Sequence, residues 1–400
     1  MLSLSNLLCD HQSGNERLRY GHTQAVGHRR RPVAEADGVP RPVTVWHVTK
    51  ACNLRCVHCY ASACAEPAPD ELSFDEGTRL LDDLKGFGVP AVLFSGGEPL
   101  VRPDTPQLIA HARSIGLSAT LSTNGMLIDD AMADRLAGVG LTYVGISLDG
   151  TQPTHDKLRG AAGAYDGALA GIDRCRARGI KVGLRFTVHA LNYADCDAMI
   201  DTCIEHGVER LCVYHLAYAG RGGKMQKVDL TGRQTRNVVR HLFARTRALH
   251  EAGTPLEVLT VGNHADAAFM LIELEATDPA RAASVRKRLE GTGGNRSGCN
   301  IASIDPSGDV HYDQFSWHHA CGNVRQQPFS RIWSEAADPR LAVLRDRRAH
   351  LPARCQACRY VGVCNGNLRT RAEAATGDWL GMDPSCYLTE AETLARPVPA

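Results

Sequence analysis

VTVWHVTKACNLRCVHCY, residues 43–60, runs an apolar stretch straight into three cysteines, Cys52, Cys56 and Cys59, in CxxxCxxC spacing. Short bounded apolar stretches are strand signals, and others follow at AVLFS (91–95), LSATLS (117–122), LTYVGIS (141–147), KVGLRFT (181–187) and RLCVYH (210–215). Helical patterns separate them. In SFDEGTRLLDDLKGFG, for example, Ser73 and Glu76 form a capping box ahead of apolar residues at helical spacing. Strand–helix alternation predicts an α/β fold with a parallel sheet closed wholly or partly into a barrel. Reactive groups of such a barrel sit on the loops after the C-terminal strand ends. ACNLRCVHCY follows the first strand, GGEP (96–99) the second, TNG (123–125) the third and LDG (148–150) the fourth. One shared mouth accounts for all four.

The 400 residues leave room for one large domain or two to three smaller ones. With 44% hydrophobic and 22% charged residues, a collagen-like, disordered or fibrous chain is excluded. Lys and Arg number 45 against 44 Asp and Glu, so no global field gathers nucleic acid or an anionic membrane surface. No apolar run reaches the roughly 18 residues of a spanning helix. The opening MLSLSNLLCD lacks a basic n-region and a small-residue cleavage site, which predicts a cytoplasmic protein. Residues 1–42, with Arg29, Arg30 and Arg31, read as a loosely structured lead-in. Residues 43–295 read as the barrel with its connecting helices, LEVLTV (256–261) being a candidate further strand. Residues 296–400, rich in Cys, Gly, His and aromatics, read as a second, metal-stapled domain.

Fifteen cysteines cannot all pair, and without an export signal metal ligation is the better first reading. CxxxCxxC can wrap three corners of a [4Fe–4S] cube and leave the fourth iron free for a small molecule. On spacing alone a zinc loop is the alternative. A late set reads Cys355-x2-Cys358-x5-Cys364, then Cys386. Four thiolates can close a metal site completely, and zinc and an iron–sulfur cluster both fit that spacing.

Together, CxxxCxxC and Gly96-Gly97-Glu98-Pro99 resemble the signature of the radical S-adenosylmethionine (SAM) superfamily. The resemblance implies a partial (β/α)6 TIM-like barrel. It also implies a [4Fe–4S] cluster on Cys52, Cys56 and Cys59 whose open iron chelates SAM, and cleavage of SAM to a 5′-deoxyadenosyl radical. Tyr60 stands where the family places an aromatic near adenine. Gly96 and Gly97 admit close backbone approach, Glu98 is placed to face the SAM ammonium, and Pro99 stiffens the turn. Ser122, Asn124, Ser147 and Arg159 resemble positions contacting the ribose and carboxylate of SAM, while Asp149 reads as structural.

The late stretch resembles the SPASM or twitch-type extension of these enzymes. That implies an auxiliary [4Fe–4S] cluster on Cys355, Cys358, Cys364 and Cys386. Where SPASM domains carry Gly-x4-Cys this chain has Gly308-x4-Asp313, and Leu368 replaces the knuckle's fourth cysteine, so one auxiliary cluster is expected. Cys299 and Cys321 receive no role, Cys64 reads as a spare buried thiol, and Cys9, Cys175, Cys196, Cys203 and Cys212 read as core or spare residues.

Residues 213–222, 304–333, 355–378 and 383–392 resemble the NirJ family of heme d1 biosynthesis and its relatives in alternative heme synthesis, with DQF at 313–315 favouring the NirJ branch. The resemblance implies an iron tetrapyrrole substrate, didecarboxysiroheme, that loses two propionate side chains so that oxo groups take their places. It also implies an electron donor such as flavodoxin or ferredoxin. Guanidinium can hold a carboxylate through two parallel hydrogen bonds, which makes Arg185 and Arg221, with Lys224, candidate carboxylate contacts. His215, Tyr218, His318 and His319 are candidate contacts for the macrocycle or its iron. A peptide-modifying SPASM maturase is the rival enzyme. Such proteins usually bear an N-terminal winged-helix domain, for which a 42-residue lead-in is too short. A non-catalytic iron–sulfur or zinc scaffold would need neither an open cluster corner nor GGEP.

Overall fold

Each of the six predicted apolar stretches from Val43 to His215 becomes a strand, and burial explains why. In a computed structural model that describes residues 1–11, 38–254, 256–336 and 338–394, the strands are β1 (Leu2–Ser3), β2 (Val43–His47), β3 (Ala91–Ser95), β4 (Ser118–Thr123), β5 (Tyr143–Ser147), β6 (Lys181–Val188), β7 (Arg210–His215), β8 (Glu257–Val261), β9 (Ile301–Ile304), β10 (Asp309–His311) and β11 (Gly322–Asn323). They form one sheet of order β1-β8-β7-β6-β5-β4-β3-β2-β9-β10-β11. β2 to β8 run parallel in chain order. Parallel neighbours require crossover helices, which cover the sheet and bury both strand faces. Helices Phe74–Gly86, Thr105–Ser114, Asp130–Gly138, Ala164–Ala177, Cys196–Glu205 and Gly232–Glu251 supply the crossovers. The six repeats starting at β2 to β7 are the partial (β/α)6 barrel, and LEVLTV adds β8 as a seventh parallel strand.

The capping box is present: Ser73 Oγ accepts from Glu76 N and Glu76 Oε2 accepts from Ser73 N. Glu76 also pairs with Arg325 at 2.7 Å, tying the first crossover helix to the loop after β11.

Both ends of the sheet differ from expectation. The lead-in is ordered at its start, where helix Leu4–Cys9 follows β1 and β1 pairs antiparallel with β8. Leu2, Leu4 and Leu7 are buried, and Ser5 Oγ bonds both Leu256 O and Val258 N at 2.9 Å. Apolar burial against an otherwise open edge strand accounts for this. The Arg29–Arg31 run lies outside the described residues. At the other end β9 adds to β2 in parallel, Val43 opposite Ile301 and Trp46 opposite Ile304. The cysteine-rich C-terminal region therefore starts inside the barrel's own sheet. Helix Phe329–Glu335 then docks on Phe74–Gly86, with Ser330 Oγ donating to Asp83 Oδ1 at 2.6 Å.

Candidate active site

The chain leaving β2 makes the cysteine loop, and the GGEP turn after β3 is pressed against its root. Gly97 N donates to Thr49 O and Glu98 N to Ala51 O, both at 2.8 Å. A Cβ on Gly97 would lie 2.2 Å from Ala51 O, and one on Gly96 (φ 149°) 2.6 Å from Thr49 O. Only bare backbone permits this approach. The far side of the loop is pinned by Val57 N to Leu158 O (2.9 Å) and Arg221 N to Cys59 O (2.9 Å). Cys56 is buried, and Cys52 and Cys59 are half-buried. Burial pushes the Cys52 thiol up to about 12. It also raises Cys56, against the pull of Arg159, whose Nη1 lies 3.5 Å from its Sγ.

All three thiols open onto one cavity of about 300 Å³ running down the barrel axis. Tyr60, Gly96, Gly97, Ser122, Asn124, Ser147 and Arg159 share that wall, so the structure brings together seven of the eight residues singled out for SAM. Tyr60 packs edge-on to Phe315 (5.2 Å between centroids) and its hydroxyl lies 3.4 Å from Ser95 Oγ. Asn124 Nδ2 donates to Asn53 Oδ1 at 2.7 Å. The eighth residue, Glu98, is fully buried behind the wall. Its carboxylate accepts from Leu100 N (3.1 Å), Thr123 Oγ1 (2.8 Å) and Asn124 N (2.8 Å), and burial raises it to about 6. In this geometry it laces the second loop to the third.

Asp149 links the fourth loop to the cluster loop. Its Oδ2 lies 2.5 Å from Arg159 Nη2 and 3.0 Å from His58 Nε2, while Oδ1 accepts from Thr187 N at 2.8 Å. Desolvation raises this carboxyl, but Arg159 and then His58 outweigh it and hold the group well below the usual carboxylate range.

The candidate substrate residues divide. Arg185, His215 and Arg221 reach the cavity; Tyr218 and Lys224 do not. Tyr218 OH is taken by Asp229 (2.8 Å) and Lys224 is exposed. Arg221 holds the cysteine loop instead of standing free for a carboxylate: Nε donates to Cys56 O at 2.8 Å and Nη1 to Ala63 O at 2.6 Å. His215 Nε2 meets Asp266 Oδ2 at 2.8 Å, and Tyr387 OH donates to the other oxygen at 2.8 Å. His318 and His319 both turn Nε2 to Glu373 at 2.8 Å, away from the cavity wall. Sequence reading passed over Tyr143 and Tyr214, which line the cavity together with Phe315 of the DQF stretch and Cys212, read there as a core or spare residue. Strand alternation carried the signal: Cys212 and Tyr214 lie two apart with Arg210 and share its face.

Cys355, Cys358, Cys364 and Cys386 line one small cavity with Met382 and Asp383. Burial, and then proximity to Cys386, raises the thiols of Cys355 and Cys364. Buried Cys299 and half-buried Cys321 lie apart from this set, near Arg345. Cys64 is exposed, not buried.

Residues 46–203 match the family described as the Radical SAM superfamily. Over 397 residues, 98% of each chain, the protein is 46% identical to Fe-coproporphyrin III synthase of Methanosarcina barkeri. The chain belongs to the radical SAM superfamily. A second relative, pre-heme d1 synthase of Dinoroseobacter shibae, is 44% identical over 364 residues, 90% of each chain. Streptococcus suis SuiB bound to precursor peptide SuiA matches with a TM-score of 0.71 over 88% of this chain and 78% of that one. At 18% identity the SuiB likeness establishes the fold alone. Radical SAM membership implies a [4Fe–4S] cluster and SAM at the barrel mouth. Three thiols converging on one cavity beside bare glycine backbone fit both.

Proposed function

We propose that this radical SAM enzyme remodels carboxylate-bearing side chains of an iron tetrapyrrole. Its substrate is didecarboxysiroheme, from which two propionate side chains are removed and oxo groups introduced on the way to heme d1. The observation that carries this reading is 44–46% identity, over nine-tenths or more of both chains, to two proteins named for tetrapyrrole products. A cavity of about 300 Å³ with tyrosines and arginines on its wall supports it, since a flat polycarboxylate needs apolar walls and a few convergent cations. A second reading, formation of Fe-coproporphyrin III, is favoured by the relative covered over 98% of both chains.

Cys52, Cys56 and Cys59 would hold the cluster. The Gly96–Gly97 backbone with Tyr60, Ser122, Asn124, Ser147 and Arg159 would hold SAM, while Glu98 and Asp149 fix the loops that carry them. When bound, the cluster and SAM supply an electron and a 5′-deoxyadenosyl radical able to take a hydrogen atom from a substrate side chain. The protein's part is orientation and exclusion of water: Tyr60 and Phe315 close the wall beside the cluster loop, and Arg221 keeps that loop in place.

We assign residues 43–295 to the SAM barrel and 296–400 to an auxiliary-cluster domain, with 1–42 as a lead-in. Cys355, Cys358, Cys364 and Cys386 would hold the second [4Fe–4S] cluster. They line one small cavity together, which supports a shared site. Zinc on the same four thiolates is the alternative that metal analysis separates from a cube. A cytoplasmic flavodoxin or ferredoxin would supply the electron.

The test is product analysis. Anaerobic incubation with didecarboxysiroheme, SAM and reductant should give a macrocycle lighter by the lost propionate fragments, read by mass spectrometry. A product that co-elutes with Fe-coproporphyrin III selects the second reading. Unaltered didecarboxysiroheme beside cleaved SAM contradicts both.

A further inference from the structure

Four arginines reach the cavity wall: Arg159, Arg185, Arg210 and Arg221. The protein itself answers two of them with carboxylates and ties a third into the cysteine loop. Arg159 faces Asp149 at 2.5 Å, Arg210 faces Glu257 at 2.6 Å, and Arg221 donates to the carbonyls of Cys56 and Ala63. Arg185 has no such answer. Its Nη1 donates to Ser122 Oγ at 2.6 Å, and its Nε is buried without a partner. The groups around it are Tyr214, Tyr143, Cys212 and Tyr60, and no described carboxylate is within ion-pair distance. Burial pushes the Tyr60 and Tyr143 hydroxyls up to about 12, so both are neutral at pH 7.

A guanidinium stays protonated in a protein, and a charge drawn partly out of water without a counter-charge is destabilising. The fold nevertheless makes room for this one. A Cβ on Gly145, next to Arg185 on β5, would lie 2.4 Å from Arg185 Nε. On β6, Arg185 stands in register with Ser147 and bonds Ser122, two of the residues assigned to SAM, on the wall of the same cavity.

We propose that Arg185 is the anion anchor of this cavity, a half-buried guanidinium that the protein leaves without a counter-charge so that it can receive a carboxylate from a bound ligand. The proposal deepens the tetrapyrrole reading and rests on it for the first of two carboxylate sources, a propionate of the macrocycle; the second is the amino-acid end of SAM. It accounts for a charge that has no counter-charge among the described residues, and for a glycine where a side chain would collide with it.

The experiment compares anaerobically reconstituted wild type, Arg185→Met and Arg185→Lys. Coproporphyrin III, a tetracarboxylate, and its tetramethyl ester are titrated by porphyrin absorption, and SAM is measured by equilibrium dialysis. Wild type should bind the acid at least tenfold tighter than the ester. Arg185→Met should weaken the acid at least tenfold and erase that preference, while Arg185→Lys, which keeps charge but not the fork, falls between. Unchanged SAM affinity in Arg185→Met identifies the macrocycle as the source. A tenfold loss for SAM with porphyrin binding intact identifies SAM. Without ligand, Arg185→Met should melt no lower than wild type, since it removes a charge without a counter-charge, whereas a structural strut would melt lower. Unchanged affinity for both ligands in Arg185→Met overturns the anchor. If wild type fails to bind coproporphyrin III, the tetrapyrrole reading falls, and the SAM arm still decides Arg185.

Discussion

Arg221 holds three atoms of the cysteine loop, the carbonyls of Cys56, Ala63 and Cys59. Arg221→Ala should therefore act on the cluster before it acts on substrate: iron and sulfide retained after anaerobic reconstitution and desalting should fall by about half, with the late site unaffected. Full iron retention would show that the loop stands without it. Asp149→Asn keeps the acceptor for Thr187 N but removes the charge facing Arg159 and His58. Breaking a buried pair in this way costs about 3–5 kcal/mol, read as a lower denaturation midpoint at pH 7. The sign with pH follows from the depressed carboxyl. Its contribution is complete above the unfolded value near 4 and is lost as pH falls toward the lower folded value, so the gap between wild type and variant should begin to narrow below about pH 4 and keep narrowing with further acidification. At this scale the sequence showed which residues stand at the mouth, because short motifs fix them. Their partners were hidden: Arg159 is 103 residues from Cys56, and Arg221 is 165 from it, distances that only the folded sheet closes.

Most strands from β2 to β7 were legible as short apolar runs buried on both faces and β4 as an alternating one with Ser118, Thr120 and Ser122 half-buried, and the Ser73–Glu76 box marked its helix start correctly. β1 was not. Two residues are too few to show a period, and their pairing with β8 depends on a contact some 255 residues away. β9 was hidden for a different reason: ahead of the cysteine-rich region its IASI reads as part of a separate domain, yet it completes the barrel's sheet beside β2. The late cysteines belong at this scale as well. On the proposed assignment four thiolates, two of them on the single-turn helices Ala353–Gln356 and Val361–Cys364, would close a site with no exchangeable corner, so SAM should perturb the spectrum of the early cluster and leave the late one unchanged. Anaerobically reconstituted protein should carry about eight irons, and replacing Cys52, Cys56 and Cys59 together with Ala should remove about half of them. Stoichiometric tightly bound zinc in anaerobically purified protein would contradict the auxiliary cluster.

Across the whole molecule one sheet carries both cysteine-rich regions, and the cavity between its strands joins the cluster loop to the arginines of β6 and β7. No described helix is long and apolar enough to cross a membrane. The order of the motifs announced the barrel and its mouth; the depth of the cavity did not follow from them, because it depends on glycines at 145 and 183 that free space for Arg185 and Tyr143. What the account claims above all is that this mouth and this cavity serve one reaction on one class of substrate. The most direct test measures 5′-deoxyadenosine released by reconstituted, reduced protein under anaerobic conditions with SAM alone, with SAM and didecarboxysiroheme, and with SAM and a peptide panel. The account predicts release stimulated at least tenfold by the tetrapyrrole and unaffected by the peptides. Stimulation by a peptide, with none by the tetrapyrrole, would contradict it.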